Sequence, residues 1–219
     1  MEDLFKKYDL KLTLKHNGKM KGIQSLSTSV LENKQCMKNA TIDGSICQKC
    51  FAIRQLNCFK KNFPNALKHN TQVLTDEIIP NEFLPQVNCM YFRFEAFGDL
   101  NNDIQFINYV NICNKNKHTT FALWSKNPQI IDDVFNNQGY KKPKNLIIIV
   151  SSLFINRQYN FEVLPYSNRF WFVDKIFTVY DKKYIIENNV NINCGSKSCI
   201  NCLKCYTKNN EKYINEILK

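Results

Sequence analysis

The sequence predicts an α/β fold: a parallel sheet or partial (β/α) barrel with a C-terminal cysteine-rich, cluster-binding tail. Three observations predict it. Short apolar or aromatic runs alternate with helix-length amphipathic segments through the middle of the chain, and helix-length crossovers are what join parallel strands. The run "NLIIIVSSL" (145–153) has no polar alternation, as expected of a strand covered on both faces. Finally, four cysteines are concentrated in "CGSKSCINCLKCY" (194–206), beyond the alternating region.

At 219 residues the chain suits a single domain, with an α/β core over 22–186 and a tail plus closing helix over 187–219. Residues 1–20 read as a polar lead-in with a short edge element at most. "GIQSLSTSV" (22–30) is the first strand, followed by a polar loop to residue 50. Phe51, Ile53, Leu56 and Phe59 recur near helical spacing, and Pro64 interrupts a second helical stretch ending near Leu74. "NCMYFRFEAF" (88–97) is a strand by its aromatic content. A helix over 101–116 turns Ile104, Ile107, Tyr109, Val110 and Cys113 inward. "TTFALWS" (119–125) is a strand. A helix over 127–137 has Asn127 as its cap and Pro128 in its first turn, where a missing N–H costs nothing. Strands over 145–153 and 168–177 follow, and "EKYINEILK" reads as a closing helix.

Gly and Pro number six each, too few for a turn-rich β-sandwich. The net charge of +11 allows a nucleic-acid partner, but that partner is not favoured. Asn is as frequent as Lys and Arg together, the pattern of an AT-rich genome, and the basic pairs Lys6–Lys7, Lys60–Lys61, Lys141–Lys142 and Lys182–Lys183 are scattered. No apolar leader opens the chain and no run reaches the ~18–20 apolar residues of a membrane span. A cytoplasmic protein with no membrane partner is expected. In a reducing compartment, ten cysteines point to metal or redox chemistry and not to disulfides.

Cys194, Cys199, Cys202 and Cys205 follow a C-x4-C-x2-C-x2-C pattern. Repeated C-x2-C spacing lets a loop wrap one inorganic object and is the ferredoxin way of holding an iron–sulfur cluster. Cys36, Cys47 and Cys50 form a second group, C-x10-C-x2-C, between the first strand and first helix. In a parallel sheet that loop lies at the carboxyl edge, where ligands bind, and the tail can fold back onto the same edge. A 4Fe–4S cluster is the leading expectation, with 3Fe–4S or 2Fe–2S as variants. Zinc on Cys47, Cys50, Cys202 and Cys205 is the alternative; it leaves the other clustered thiols idle. Seven thiols exceed one four-ligand cluster, so two clusters, one shared cluster, or a second metal all remain open. Cys58, Cys89 and Cys113 stand alone on apolar segments and read as buried core thiols. His16, His69 and His118 lie outside both groups.

In "YFRFEAFGDL" strand alternation puts Arg93 and Glu95 side by side on one face. A buried charged pair is costly unless partnered or functional. Gly98 and Asp99 follow at the strand's end, and Ser125 and Lys126 end the next strand. Ser151 and Ser152, then Asp174 and Lys175, extend the series of polar residues expected at strand carboxyl ends. Arg93, Glu95, Asp99 and Lys126 are therefore the candidate catalytic residues lining a small-molecule pocket; an internal ion pair with Asp99 as a cap is the plainer reading.

The ordered set "GIQSLS", "CQKCFA", "FRFEAFGDL", "FALWSKN" and "CINCLKCY" resembles the bacteriophage "gene product 88" family over residues 22–206. The resemblance implies a phage or prophage origin, hence a host-cytoplasm location, and cysteine-bound iron–sulfur. A more distant likeness is to radical S-adenosylmethionine enzymes, which also place cluster cysteines after the first strand of a partial barrel; their C-x3-C-x2-C is absent here. Three routes fit a cluster beside a pocket: esterase-like hydrolysis with the cluster as Lewis acid and Glu95 or Asp99 as base, electron transfer, or reduction of S-adenosylmethionine. A zinc-stapled nucleic-acid or protein-binding module is the non-enzymatic reading.

Overall fold

The computed structural model describes residues 2–56, 58, 62–161 and 167–218. Its centre is a six-stranded, all-parallel sheet whose strands follow chain order without reversal: β1 (Gln24–Leu26), β2 (Tyr91–Phe94), β3 (Thr120–Ser125), β4 (Leu146–Ser151), β5 (Lys175–Tyr180) and β6 (Tyr213–Ile217). β1 and β6 are the two edges, so the sheet is open and not a closed barrel. Eight helices accompany it: α1 (Glu2–Lys7), α2 (Lys34–Ala40), α3 (Phe51–Leu56), α4 (Asn62–Asp76), α5 (Asp103–Lys115), α6 (Pro128–Asp132), α7 (Lys182–Asn188) and α8 (Cys199–Cys202). Among the described residues no helix is long and apolar enough to cross a membrane.

The strands form where the sequence offers apolar runs. All six residues of β4 are buried. α5 is set by Asn102, whose side chain accepts from the Gln105 N–H, with Asp103 in the first turn and Lys115 in the last, matching the helix dipole. Pro64 sits in the first turn of α4, where it is tolerated, rather than breaking it. The expected helical residue Phe59 and the pair Lys60–Lys61 lie outside the described residues.

Two elements differ from expectation. "EKYINEILK" supplies β6, which pairs parallel with β5. A nine-residue helix is marginal alone, whereas the open edge of β5 offers unpaired backbone groups, and Ile214 is buried there. The segment 168–177 becomes a strand only from Lys175. Before it, Asp174 binds the Ile148 N–H (2.7 Å) and Lys142 (2.6 Å), while Phe170, Trp171 and Phe172 pack as a loop cluster with Phe135. Asp174 and Lys175 thus stand at the amino end of their strand, not the carboxyl end.

Unreversed order leaves the sheet with two unlike faces. If each crossover is right-handed, all crossovers fall on one side. On that side Phe92, Phe94, Phe121, Leu123, Leu146 and Ile148 pack with Leu74 of α4 and Phe106, Tyr109 and Val110 of α5. The alternate residues Tyr91, Ala122, Trp124, Ile147, Ile149 and Phe177 pack instead against Cys199, Ile200, Leu203, Cys205 and Tyr206 of the tail. The cysteine-rich segment is thus the cover of the sheet's second face.

Candidate functional site

The tail is shaped by local chemistry. α8 is one turn that carries Cys199 and Cys202, and Leu203, in the left-handed region at φ 51°, ends it. The Tyr206 N–H then bonds the Leu203 carbonyl at 2.8 Å. Tyr206 is buried against Tyr91 and Trp124, with ring centroids 5.9 and 5.8 Å away. These contacts anchor the tail on the sheet and bring four thiols into one neighbourhood. Burial pushes the Cys205 thiol up to about 12, with Cys194, Cys199 and Cys202 adding to the rise. Cys194 and Cys199 are also raised, first by burial and then in part by other thiols of the group.

Cations surround this group. Lys19 lies 3.1 Å from the Cys194 sulfur and 2.9 Å from Glu216. Lys204 acts on Cys194 and Cys202 and pairs with Glu211 at 2.9 Å. Lys175, only 2% exposed, bonds the Asn209 side chain (2.8 Å) and the Glu211 carbonyl (2.9 Å) and feels the charge of Cys205. Arg93 stacks on Trp124 with its guanidinium carbon 4.0 Å from the ring centre, and its charge acts on Cys199, Cys205 and Tyr206. Neither Arg93 nor Lys175 is in an ion pair among the described residues. The Arg93 Nε and the Tyr206 hydroxyl are buried without a hydrogen-bond partner.

The second group forms at the carboxyl edge of the sheet. Asn33 caps α2 by accepting from the Cys36 N–H at 3.0 Å, and its amide donates to the carbonyls of Asp99 (2.9 Å) and Leu100 (3.2 Å). Ser45 accepts from the Cys47 N–H at 2.9 Å and donates to the Asn39 carbonyl at 2.8 Å. The Ile46 N–H reaches the Leu153 carbonyl just beyond β4. Cys36, Cys47 and Cys50 are thereby brought together. Burial, then the Asp99 charge, raises the Cys36 thiol, while Lys126 opposes the rise; Cys47 is raised by burial, with Lys126 again opposing. The charges acting most strongly on this group are Asp99, Lys126, Glu95 and its own thiols, and those on the tail group are Arg93, Lys19, Glu216 and its own thiols. The two groups are therefore separate neighbourhoods, and the tail covers a sheet face instead of joining the carboxyl edge.

The four candidate catalytic residues do not share one pocket. Glu95 adopts φ 55°, in the left-handed region, which ends the strand alternation and swings its side chain away from Arg93. Its carboxylate accepts from the Thr28 N–H (3.2 Å), the Thr28 hydroxyl (3.0 Å), the Gln105 amide (2.7 Å) and the Tyr109 hydroxyl. Burial raises this acid to about 8 despite those donors. Asp99 accepts from the Leu100 N–H (2.8 Å), the Ser125 hydroxyl (2.6 Å) and the Lys126 N–H (2.9 Å), and so ties the end of β2 to the end of β3. Lys126 is half-buried near Cys36 and Cys47, and Arg93 lies under the tail. The plainer expectation of an Arg93–Glu95 ion pair is not met either.

Of the lone thiols, Cys113 is buried as expected, Cys89 is half-buried and Cys58 is exposed. Lys19, Trp124, Lys175 and Tyr206 were not foreseen as companions of the tail thiols. The aromatic closing "CINCLKCY" was the one sequence signal for Tyr206.

Among the described residues no three His, Cys, Asp or Glu side chains are gathered closely enough to hold a single metal ion. The tail thiols share a neighbourhood and not a ligand shell. The donor set nonetheless suits an anionic thiolate-bound cluster: four thiols, two buried cations without carboxylate partners, and two unpartnered donors face the same region. Neither protein-family models, nor curated proteins, nor solved structures give a match to this chain.

Proposed function

We propose that the chain is an iron–sulfur enzyme with two thiol-held centres. Cys194, Cys199, Cys202 and Cys205 would supply all four protein ligands of one cluster, and Cys36, Cys47 and Cys50 three ligands of the other. The observation that carries this reading is the burial of Arg93 and Lys175 against the tail thiols without a carboxylate. Unpaired buried cations are costly, and thiolates on a cluster are the anion that offsets them. Burial alone keeps these thiols protonated and poorly nucleophilic; a bound metal deprotonates them outright.

A cluster on three thiolates leaves one iron for an exogenous ligand and supplies one-electron reduction there. The rest belongs to the chain. Asn33 and Ser45 hold the loops that carry Cys36 and Cys47, and Lys126 is the cation facing an anionic group of that ligand. The unreversed parallel sheet, with three thiols in the loop after β1, supports reduction of S-adenosylmethionine over hydrolysis. Glu95 and Asp99, the bases hydrolysis would need, are committed to internal donors.

The test is iron, sulfide and zinc content after anaerobic purification, with magnetic resonance under dithionite. Cys47→Ala/Cys50→Ala and Cys202→Ala/Cys205→Ala should each lose about half the iron. S-adenosylmethionine should alter the signal of the second variant and not the first, and 5′-deoxyadenosine should form only when Cys47 and Cys50 are intact. Zinc without sulfide would overturn the reading, as would complete loss of iron from either variant.

A further inference from the structure

The short helices that bring Cys36, Cys47 and Cys50 together also build an exposed surface with an apolar centre. Leu31, Met37 and Phe51 are 54%, 41% and 48% exposed. They lie on the 3-10 turn Val30–Glu32, on α2 and on α3, and that turn packs on both helices. Beneath them Val30, Ala52 and Phe97 pack with Cys36 and Cys50. The rim is basic. Lys34 and Lys38 stand one turn apart on α2, and Lys49 and Arg54 flank Cys50. All four are exposed, and none is in an ion pair among the described residues. Of the acids in this stretch, Glu32 is paired with Lys68, which leaves Asp43 as the counter-charge.

We propose that this surface docks a small acidic one-electron carrier protein, which delivers electrons to the three-thiol centre. The proposal rests on reading Cys36, Cys47 and Cys50 as a redox centre. Carrier complexes are small and transient, and a basic rim speeds the encounter with an acidic partner through long-range attraction. The apolar centre then fixes the close approach that electron transfer requires. The chain's net charge of +11 favours an acidic protein partner from a distance. A nucleic acid would answer the lysines but leaves Leu31 and Met37 without a role, since phosphate contacts come from cationic and polar groups.

The probe is a chemically reduced plant-type two-iron ferredoxin, an acidic carrier. One electron passes from its cluster to the oxidised three-thiol centre, and the ferredoxin is left oxidised. Its oxidation is followed by stopped flow with iron-loaded full-length protein carrying Cys202→Ala/Cys205→Ala, so that only the three-thiol centre accepts. We expect the rate to fall as salt is raised. Lys34→Glu/Lys38→Glu/Lys49→Glu should slow it about tenfold or more at low salt, with reduction by dithionite unchanged. Met37→Ser/Phe51→Ser should slow it at high salt as well. Equal ferredoxin rates in the charge-reversed variant and its parent would overturn the proposal. So would an unchanged ferredoxin rate coupled with lost binding to duplex DNA, which would make the surface a nucleic-acid site. A parent protein that loads no dithionite-reducible iron would instead overturn the redox reading, and the docking proposal with it.

Discussion

Arg93 lies flat over Trp124, 4.0 Å from the ring centre, with its Nε buried and unpartnered beneath the tail thiols. A cation–π contact of this kind contributes about 0.5–2 kcal/mol, and leaving a buried donor unsatisfied costs about 1–3 kcal/mol. In protein without a cluster these terms nearly cancel, so Arg93→Met should change the apoprotein's unfolding free energy little. In loaded protein the same substitution removes the counter-charge of the tail centre. Iron retention against a chelator should then fall, and the midpoint potential of that centre should move down, because a nearby cation favours the reduced, more negative state. Chelator challenge and redox titration check this. A loaded variant with wild-type potential would place the tail centre away from Arg93.

Tyr206 provides an independent probe of the same face. Its ring is buried between Tyr91 and Trp124 and its hydroxyl has no partner. Tyr206→Ala should destabilise the fold by about 3–5 kcal/mol through the cavity it leaves. Tyr206→Phe should be neutral or stabilising by about 1 kcal/mol in the apoprotein, since it removes an unsatisfied group. In loaded protein Tyr206→Phe should release iron faster if the hydroxyl donates to a bound cluster. Denaturant unfolding of both states separates the two effects.

Gly98 has φ +82°, and a Cβ there would lie 2.7 Å from the Thr28 carbonyl oxygen and 2.8 Å from the Glu95 carboxylate. The left-handed backbone alone costs a non-glycine residue about 1–2 kcal/mol, and the clash falls partly on backbone that cannot move aside. Gly98→Ala should cost about 3 kcal/mol or more and loosen the Asp99 contacts that join β2 to β3. Thermal unfolding, with near-ultraviolet circular dichroism for the aromatic core, would register both.

The sheet was legible because its central strands announce themselves: β4 is apolar throughout, and β2 and β3 are aromatic-rich runs. β6 was not, because Ile214 and Ile217 sit three apart and suit a helix as well as an edge strand. The cysteine groups were legible by spacing alone, and their separation was not. Nothing local tells the tail to lie across Ala122, Ile147 and Ile149; that follows from an unreversed sheet whose second face would otherwise be bare. Arg93 and Glu95 were misjudged together, since strand alternation holds only while φ stays extended and Glu95 leaves that region.

Glu95 also gives the clearest pH dependence. Burial raises its folded-state pKa to about 8 from the ordinary 4.5. A group raised on folding binds more protons in the native state, so its contribution to stability is complete below about 4.5 and is lost as pH rises through about 8. Across that window the wild-type protein should lose on the order of a few kcal/mol from this group. Glu95→Gln removes the titration, and its unfolding free energy should be flatter from pH 5 to 8. It should also be lower than wild type at pH 5, because the Gln amide meets donors from Thr28, Tyr109 and Gln105, and no flip of the amide suits them all. Denaturant titrations of cluster-free protein at pH 5, 6.5 and 8 decide it. Parallel pH profiles for the two proteins would mean that the donors keep Glu95 ionised throughout, and that the buried network is held by a carboxylate and not by an acid.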